Sequence, residues 1–301
     1  MRDLSIDAFG LHFKNPIMTC SGTFASGIEY SEFVDLNRLG AVVTKGVSHE
    51  PWSGNPTPRI AETPSGMLNA IGLQNPGTKT FIERDLEELK DYDTNIVVNV
   101  CGHSLEEYKK AVLDLNDTNA NLFEINISCP NVKAGGLSFG TDPKGVYEIT
   151  SELKQISKKP IVMKLTPNVT DIKVIAKAAE EGGADGISLI NTLTGMKIDV
   201  EKQIFSLANK TGGLSGPAIH PVAVRMVYEC ASVVNIPIIG MGGVFDYSDA
   251  LELMMAGASL VAVGSANFKN PCATTDIIDG IDDYMERHNI KNIKEIIGLV
   301  K

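Results

Sequence analysis

One pattern recurs in this chain and limits its fold more than any other. A segment ends in glycine, alanine follows, and an apolar run begins: Leu39-Gly-Ala-Val-Val43, Gly183-Ala-Asp-Gly-Ile187 and Ala256-Gly-Ala-Ser-Leu260. Glycine is the favoured helix stop. A near-continuous apolar run is what a parallel strand needs when it is covered on both faces. Similar runs begin at Pro16, Asn95, Leu122, Pro160 and Ile236, which brings the number of candidate strands to eight. Eight such strands separated mostly by helices point to a closed barrel, for which about 250 residues plus insertions is ordinary. An open doubly wound sheet is the alternative, but no G-x-G-x-x-G follows the first run.

The expected fold is therefore α/β, a (β/α)8 TIM barrel formed as one domain over residues 1–301. Residues 4–14 alternate around Phe9-Gly10 and predict an N-terminal β-hairpin. A helix is expected over about 29–38 and another over about 78–90. Ser104-Leu-Glu-Glu107 reads as a capping box opening the helix after the third strand. Long insertions are expected after strands 2 and 6. The first, 47–77, carries five prolines, and an ordered loop of that length is uncommon without a task. The second runs over 192–216. The last ~35 residues read as helical and polar.

The net charge of -10 argues against nucleic acid and anionic membranes as partners through bulk attraction. The cysteine count is odd, at positions 20, 101, 129, 230 and 272. No C-x-x-C pair or His/Cys cluster suggests a disulfide framework or a metal site. The first residues lack the apolar core of an export signal. No run is long enough to span a bilayer. The expectation is a cytoplasmic protein.

The chemistry collects at the carboxyl ends of the strands, where barrels bind their ligands. Asn121-Leu-Phe-Glu-Ile-Asn-Ile-Ser-Cys-Pro-Asn131 reads as strand 4 stopped by Pro130, which places Asn126, Cys129 and Asn131 at that end. A thiol between carboxamides suits a proton-transfer group beside a polar substrate, although a lone cysteine is more often structural. Lys45 and Lys164 end strands 2 and 5, where a cation is costly unless an anion meets it. Asn99, Asn126 and Asn191 end strands 3, 4 and 6. Together they read as a ring of carboxamides for a planar heterocycle, with Asn69 and Asn75 closing over it. Gly240-Met-Gly-Gly243 and Gly264-Ser265 follow strands 7 and 8, the usual place for a phosphate in a barrel. His12, His49, His103, His220 and His288 have no metal or triad spacing and read as structural.

These elements together resemble a known family. Asn69-Ala-Ile-Gly-Leu-Gln-Asn75, Asn126-Ile-Ser-Cys-Pro-Asn131, Met163-Lys-Leu165, Asn191-Thr192 and Gly240-Met-Gly-Gly243 are similar, in order, to the motifs of class 1 dihydroorotate dehydrogenases. The membrane-associated class 2 branch has serine where Cys129 stands and carries an N-terminal extension. Met67-Leu-Asn-Ala-Ile-Gly-Leu73 and Val132-Lys-Ala-Gly-Gly136 look like the B subtype, the catalytic subunit of the two-subunit NAD-linked enzyme. The fumarate-using A subtype differs at those points and stands as the nearest alternative, ahead of another phosphate-binding barrel enzyme.

The resemblance implies FMN and the oxidation of (S)-dihydroorotate to orotate in pyrimidine biosynthesis. By matched position it implies FMN contacts from Ser21, Lys45, Gly46, Asn99, Asn126, Lys164, Ile190, Gly216, Gly242, Gly243, Gly264 and Ser265. Substrate contacts are implied for Lys45, Asn69, Ala70, Ile71, Gly72, Leu73, Asn126, Asn131, Asn191 and Thr192. Cys129 is implied as the catalytic base, with no metal. The implied partner is an electron-transfer subunit carrying FAD and an iron–sulfur cluster, docked on a homodimer of this chain to make a heterotetramer.

Overall fold

The computed structural model describes residues 2–128, 133–134, 137–138 and 140–300, with backbone alone for 133–134 and 137–138. Its centre is a closed barrel of eight parallel strands. They are β1 (Ile17–Thr19), β2 (Ala41–Val43), β3 (Asn95–Val100), β4 (Leu122–Asn126), β5 (Ile161–Lys164), β6 (Gly186–Leu189), β7 (Ile238–Met241) and β8 (Leu260–Val263). Neighbours in sequence are neighbours in space, and β8 closes onto β1. All residues of β4 to β8 are buried.

Helices cover the outside because their apolar residues recur on one face. In Ile172–Glu181 the buried residues are Ile172, Ile175, Ala176, Ala178 and Ala179, a stripe at helical spacing. Asp171 caps this helix by accepting from Lys173 N, which satisfies one of the donors a helix start leaves open. The hairpin pairs Ile6–Ala8 with Leu11–Phe13. The Phe9 ring at its turn lies against Gly186, where a Cβ would meet Phe9 Cε1 at 2.3 Å, so the hairpin packs against the amino end of β6.

Several expectations need correction. Residues 29–38 form no α-helix; the chain makes two 3₁₀ turns, Ile28–Tyr30 and Leu36–Arg38. Ser31 Oγ donates to Ile28 O, and Asp35 Oδ1 accepts from Asn37 N. Such local side-chain bonds compete with helix propagation. Gly40 therefore ends no α-helix. Its role is close approach, since a Cβ there would lie 2.2 Å from Asn15 O. Gly257 does act as expected, at φ +122 after Tyr247–Met255. The helix near 78–90 starts at Gly77 and has a π-helical middle, Phe81–Leu86. Ser104 Oγ accepts from Glu107 N, but Glu107 Oε2 takes His103 N, one residue before the cap. The reciprocal half of the expected box is thus displaced.

Residues 47–77 are less irregular than their composition suggests. Ile60–Thr63 and Gly66–Asn69 form a hairpin. Gly66–Asn69 also pairs with Thr211–Ser215, which pairs in turn with Leu193–Met196. The segments after β2 and β6 thus share one four-stranded antiparallel sheet.

Candidate active site

A cavity of about 460 Å³ opens at the carboxyl end of the barrel, beneath that four-stranded sheet. Such a volume suits a small-molecule or cofactor site. Every described residue assigned above to FMN or to the substrate by the resemblance lines it: Ser21, Lys45, Gly46, Asn69 to Leu73, Asn99, Asn126, Lys164, Ile190, Asn191, Thr192, Gly216, Gly242, Gly243, Gly264 and Ser265. Cys129 and Asn131 lie outside the described residues. Ser128, adjacent to Cys129, lines the cavity.

The polar groups fall into two sets. The first lies inside the barrel. Asn99 on β3 and Glu124 on β4 are register partners, and Lys164 on β5 is opposite Ser188 on β6. Glu124 accepts from Asn99 Nδ2 at 2.6 Å, from Ser188 Oγ at 2.8 Å and from Lys164 Nζ at 3.2 Å. Lys164 also donates to Ser21 Oγ at 3.2 Å. Asn99 Oδ1 is buried without a hydrogen-bond partner.

The second set is at the rim. Ser128 Oγ donates to Asn126 Oδ1 at 2.6 Å, and Asn191 Nδ2 donates to Ser128 Oγ. Asn191 Oδ1 accepts from Thr192 N at 2.8 Å. Asn168 spans the same rim, donating to Thr192 O and accepting from Thr194 N. The expected ring of three carboxamides is thus a linked pair, Asn126 and Asn191, with Asn99 bonded separately to Glu124. Asn69 lines the cavity and donates to Gly213 O at 3.4 Å. Asn75 does not reach it. It is buried and ties the loop, accepting from Ser48 N and Gly77 N and donating to Leu73 O.

Lys45 differs from every other cation at the site. None of the described carboxylates is within ion-pair distance of it, and burial pushes its ammonium below the usual 10.5, with Lys164 and Arg59 adding to the effect. The Cys20 thiol, also on the lining, is pushed up to about 12 by burial. The loops after β7 and β8 supply backbone. Gly242 and Gly243 adopt φ +128 and +69, and a Cβ on Gly243 would lie 2.7 Å from Gly216 O. Only glycine keeps those turns close together. His220 Nδ1 bonds Gly242 O at 2.8 Å, so one histidine read as structural does hold a loop of the site.

Sequence reasoning missed Glu124, Ser128, Thr166, Asn168 and Phe268. Glu124 did carry a signal, a charge inside the apolar run Leu122-Phe-Glu-Ile-Asn126.

The family model described as dihydroorotate dehydrogenase matches residues 3–285. A protein of Lachnoclostridium phytofermentans is 61% identical over 292 residues, covering 97% of each chain. One of Alkaliphilus metalliredigens is 60% identical over 296 residues, 98% of each. One of Bacteroides thetaiotaomicron is 50% identical over 302 residues and the full length of both. Each of the three is named dihydroorotate dehydrogenase B (NAD(+)), catalytic subunit.

Proposed function

The chain belongs to the dihydroorotate dehydrogenase family, and from that premise we propose that it is the catalytic subunit of a B-type, NAD-linked enzyme. It oxidises (S)-dihydroorotate to orotate in pyrimidine biosynthesis. The observation that ties this reading to the chain's own residues is Asn99 Oδ1, a buried acceptor with no partner on the wall of the cavity. Leaving such an acceptor unsatisfied costs about 1–3 kcal/mol, and a ring imide N–H of the flavin type would satisfy it.

The remaining lining fits FMN. Gly216, Gly242, Gly243, Gly264 and Ser265 offer a backbone cradle for its phosphate. Ser21, Lys45, Gly46, Asn126, Lys164 and Ile190 would hold the ring system. The whole chain then acts as one FMN-binding barrel domain. Lys45, Asn69 to Leu73, Asn126, Asn131, Asn191 and Thr192 would hold dihydroorotate. Lys45 suits its carboxylate, because the protein gives that ammonium no carboxylate of its own. Ser128 and Asn191 steady the Asn126 carboxamide.

Dihydroorotate must lose a proton from C5 and a hydride from C6. Cys129, as thiolate, is the group proposed to take the proton. Bound FMN supplies the hydride acceptor. The sheet over the cavity excludes water from the reaction. Electrons leave through a partner subunit carrying FAD and an iron–sulfur cluster, docked on a homodimer of this chain in a cytoplasmic heterotetramer. No described helix is long and apolar enough to cross a membrane.

The decisive measurement is an anaerobic visible spectrum before and after adding dihydroorotate. A flavin band that bleaches is expected; colourless protein or an unchanged band overturns the reading. Replacing Cys129→Ala should leave FMN bound and slow bleaching by ~10²–10⁴-fold; a near wild-type rate removes Cys129 as the base. The chain alone should pass electrons to artificial acceptors but hardly to NAD, with NAD reduction restored by the partner. Efficient fumarate reduction would move the assignment to the A subtype.

A further inference from the structure

We propose that Glu124 is a positioning residue of the flavin site. Its carboxylate decides which end of the Asn99 carboxamide faces the cavity, and it supplies the counter-charge beside which Lys164 stands there as an ammonium. The inference rests on the reading that FMN occupies the cavity, and assigns a role to a residue that reading leaves out.

The argument is one of donors and acceptors. An ionised carboxylate only accepts. Glu124 is 1% exposed, so water cannot satisfy it. It must face donors, and it faces three: Asn99 Nδ2, Ser188 Oγ and Lys164 Nζ. Were the Asn99 carboxamide reversed, its oxygen would stand 2.6 Å from a carboxylate oxygen. That repulsion fixes the amide sense, so the group left over is Oδ1, the buried acceptor without a partner. The same anion anchors Lys164. Their side chains are 2% and 5% exposed, and an isolated ammonium at such a depth is strongly disfavoured. Lys164 spends one N–H on Glu124 and one on Ser21, leaving the third for the cavity it lines. One residue that need never touch the cofactor thus sets both an acceptor and a cation on the cavity wall.

Two substitutions separate the two roles. Glu124→Gln keeps the shape; its carbonyl can still accept from Asn99 and Lys164, and its amide can donate to Ser188 Oγ. The charge alone is lost. Glu124→Leu removes every acceptor. The readouts are the FMN affinity of apoprotein and the pH dependence of the bound flavin's potential.

In the Gln variant, FMN affinity should stay within about threefold of wild type, because the Asn99 amide sense is retained. The potential should fall more steeply with rising pH below the usual lysine range, approaching one further proton per two electrons. Each such proton is worth about 30 mV per pH unit. It would go to Lys164, left without its counter-charge. Among the described residues, the other titratable groups facing Lys164 are Lys45, present in both proteins, and Cys20, whose thiol at about 12 stays neutral over this range. In the Leu variant, FMN affinity should fall at least tenfold. A Gln variant with the wild-type pH slope overturns the counter-charge role. A Leu variant that binds FMN like wild type overturns the control of Asn99. If the Leu variant fails to fold, Glu124→Ala made with and without Asn99→Ala takes its place. A loss of FMN affinity from Glu124→Ala that is as large in the Asn99→Ala background as in the wild-type background would overturn that role. Wild-type protein that binds no FMN would count against the function proposed above, a result distinct from either of these.

Discussion

Lys164 ends β5 and Lys45 follows β2, on different sides of the barrel; both line the same cavity, yet the protein treats them oppositely. Lys164 is 4% exposed and held by Glu124 and Ser21. Lys45 stands at the rim with its ammonium weakened by burial and no described carboxylate in reach. A paired cation is held in place by the framework, and its partners take up some of the N–H groups it could offer a ligand. An unpaired one carries a standing electrostatic cost that an incoming anion relieves. The difference teaches that a lysine's count of partners, more than its burial, tells whether it waits for a ligand.

The largest test of this contrast is Lys164→Met, which strands Glu124 in the barrel. Breaking a buried pair from one side costs about 3–5 kcal/mol, so denaturant unfolding of the apoprotein should show a loss of that size. Adding Glu124→Gln should return most of it. A single variant as stable as wild type would erase the distinction between the two lysines.

Next in size is Lys45→Met. Apoprotein stability should hold or rise, because an unpaired charge leaves the structure. Orotate affinity of the FMN-loaded protein should fall by roughly 10–100-fold, the worth of one charge-assisted hydrogen bond. Calorimetric titration reads it; unchanged affinity would mean that the rim cation does not meet the substrate's carboxylate.

The smallest effect is a pH dependence with a definite sign. Burial lowers the Lys45 ammonium below 10.5 in the folded protein. Across the window between that lowered value and 10.5, the unfolded chain holds the proton and the folded apoprotein sheds it, so stability rises with pH. An anionic ligand reverses the shift, so orotate binding should take up protons there and weaken as pH rises. Titrations in buffers of different ionisation heat count those protons. An uptake that persists in Lys45→Met would assign it to another group.

Much of this was legible before the fold was known. Asn95–Val100 runs over the expected residues of strand 3, because β-branched runs between turn signals are local information. Most of the described site residues converge because they sit at or just past the carboxyl ends of barrel strands, and a barrel gathers those ends on one face. What escaped notice was non-local. Nothing near Gly66–Asn69 announces a partner at Thr211–Ser215. Glu124 reads as an anomaly in its own strand and makes sense only beside Lys164, Asn99 and Ser188 from three others. Asn75 has the same composition signal as Asn69 but turns inward to tie its loop.

The sheet over the cavity has a consequence for how this protein can be altered. All four of its strands contribute lining, from Ile60 through Asn69, Thr194 and Ser215. Asn69 is in register with Gly213, and a Cβ on Gly213 would collide with Thr192 Oγ1 at 2.0 Å. Two excursions of the chain, more than a hundred residues apart, are therefore keyed to each other at the ceiling of the cavity. They form a single structural unit split across the sequence. A chimera that swaps one excursion from a relative while keeping the other inherits half a ceiling, and an insertion in either shifts residues that the other must meet.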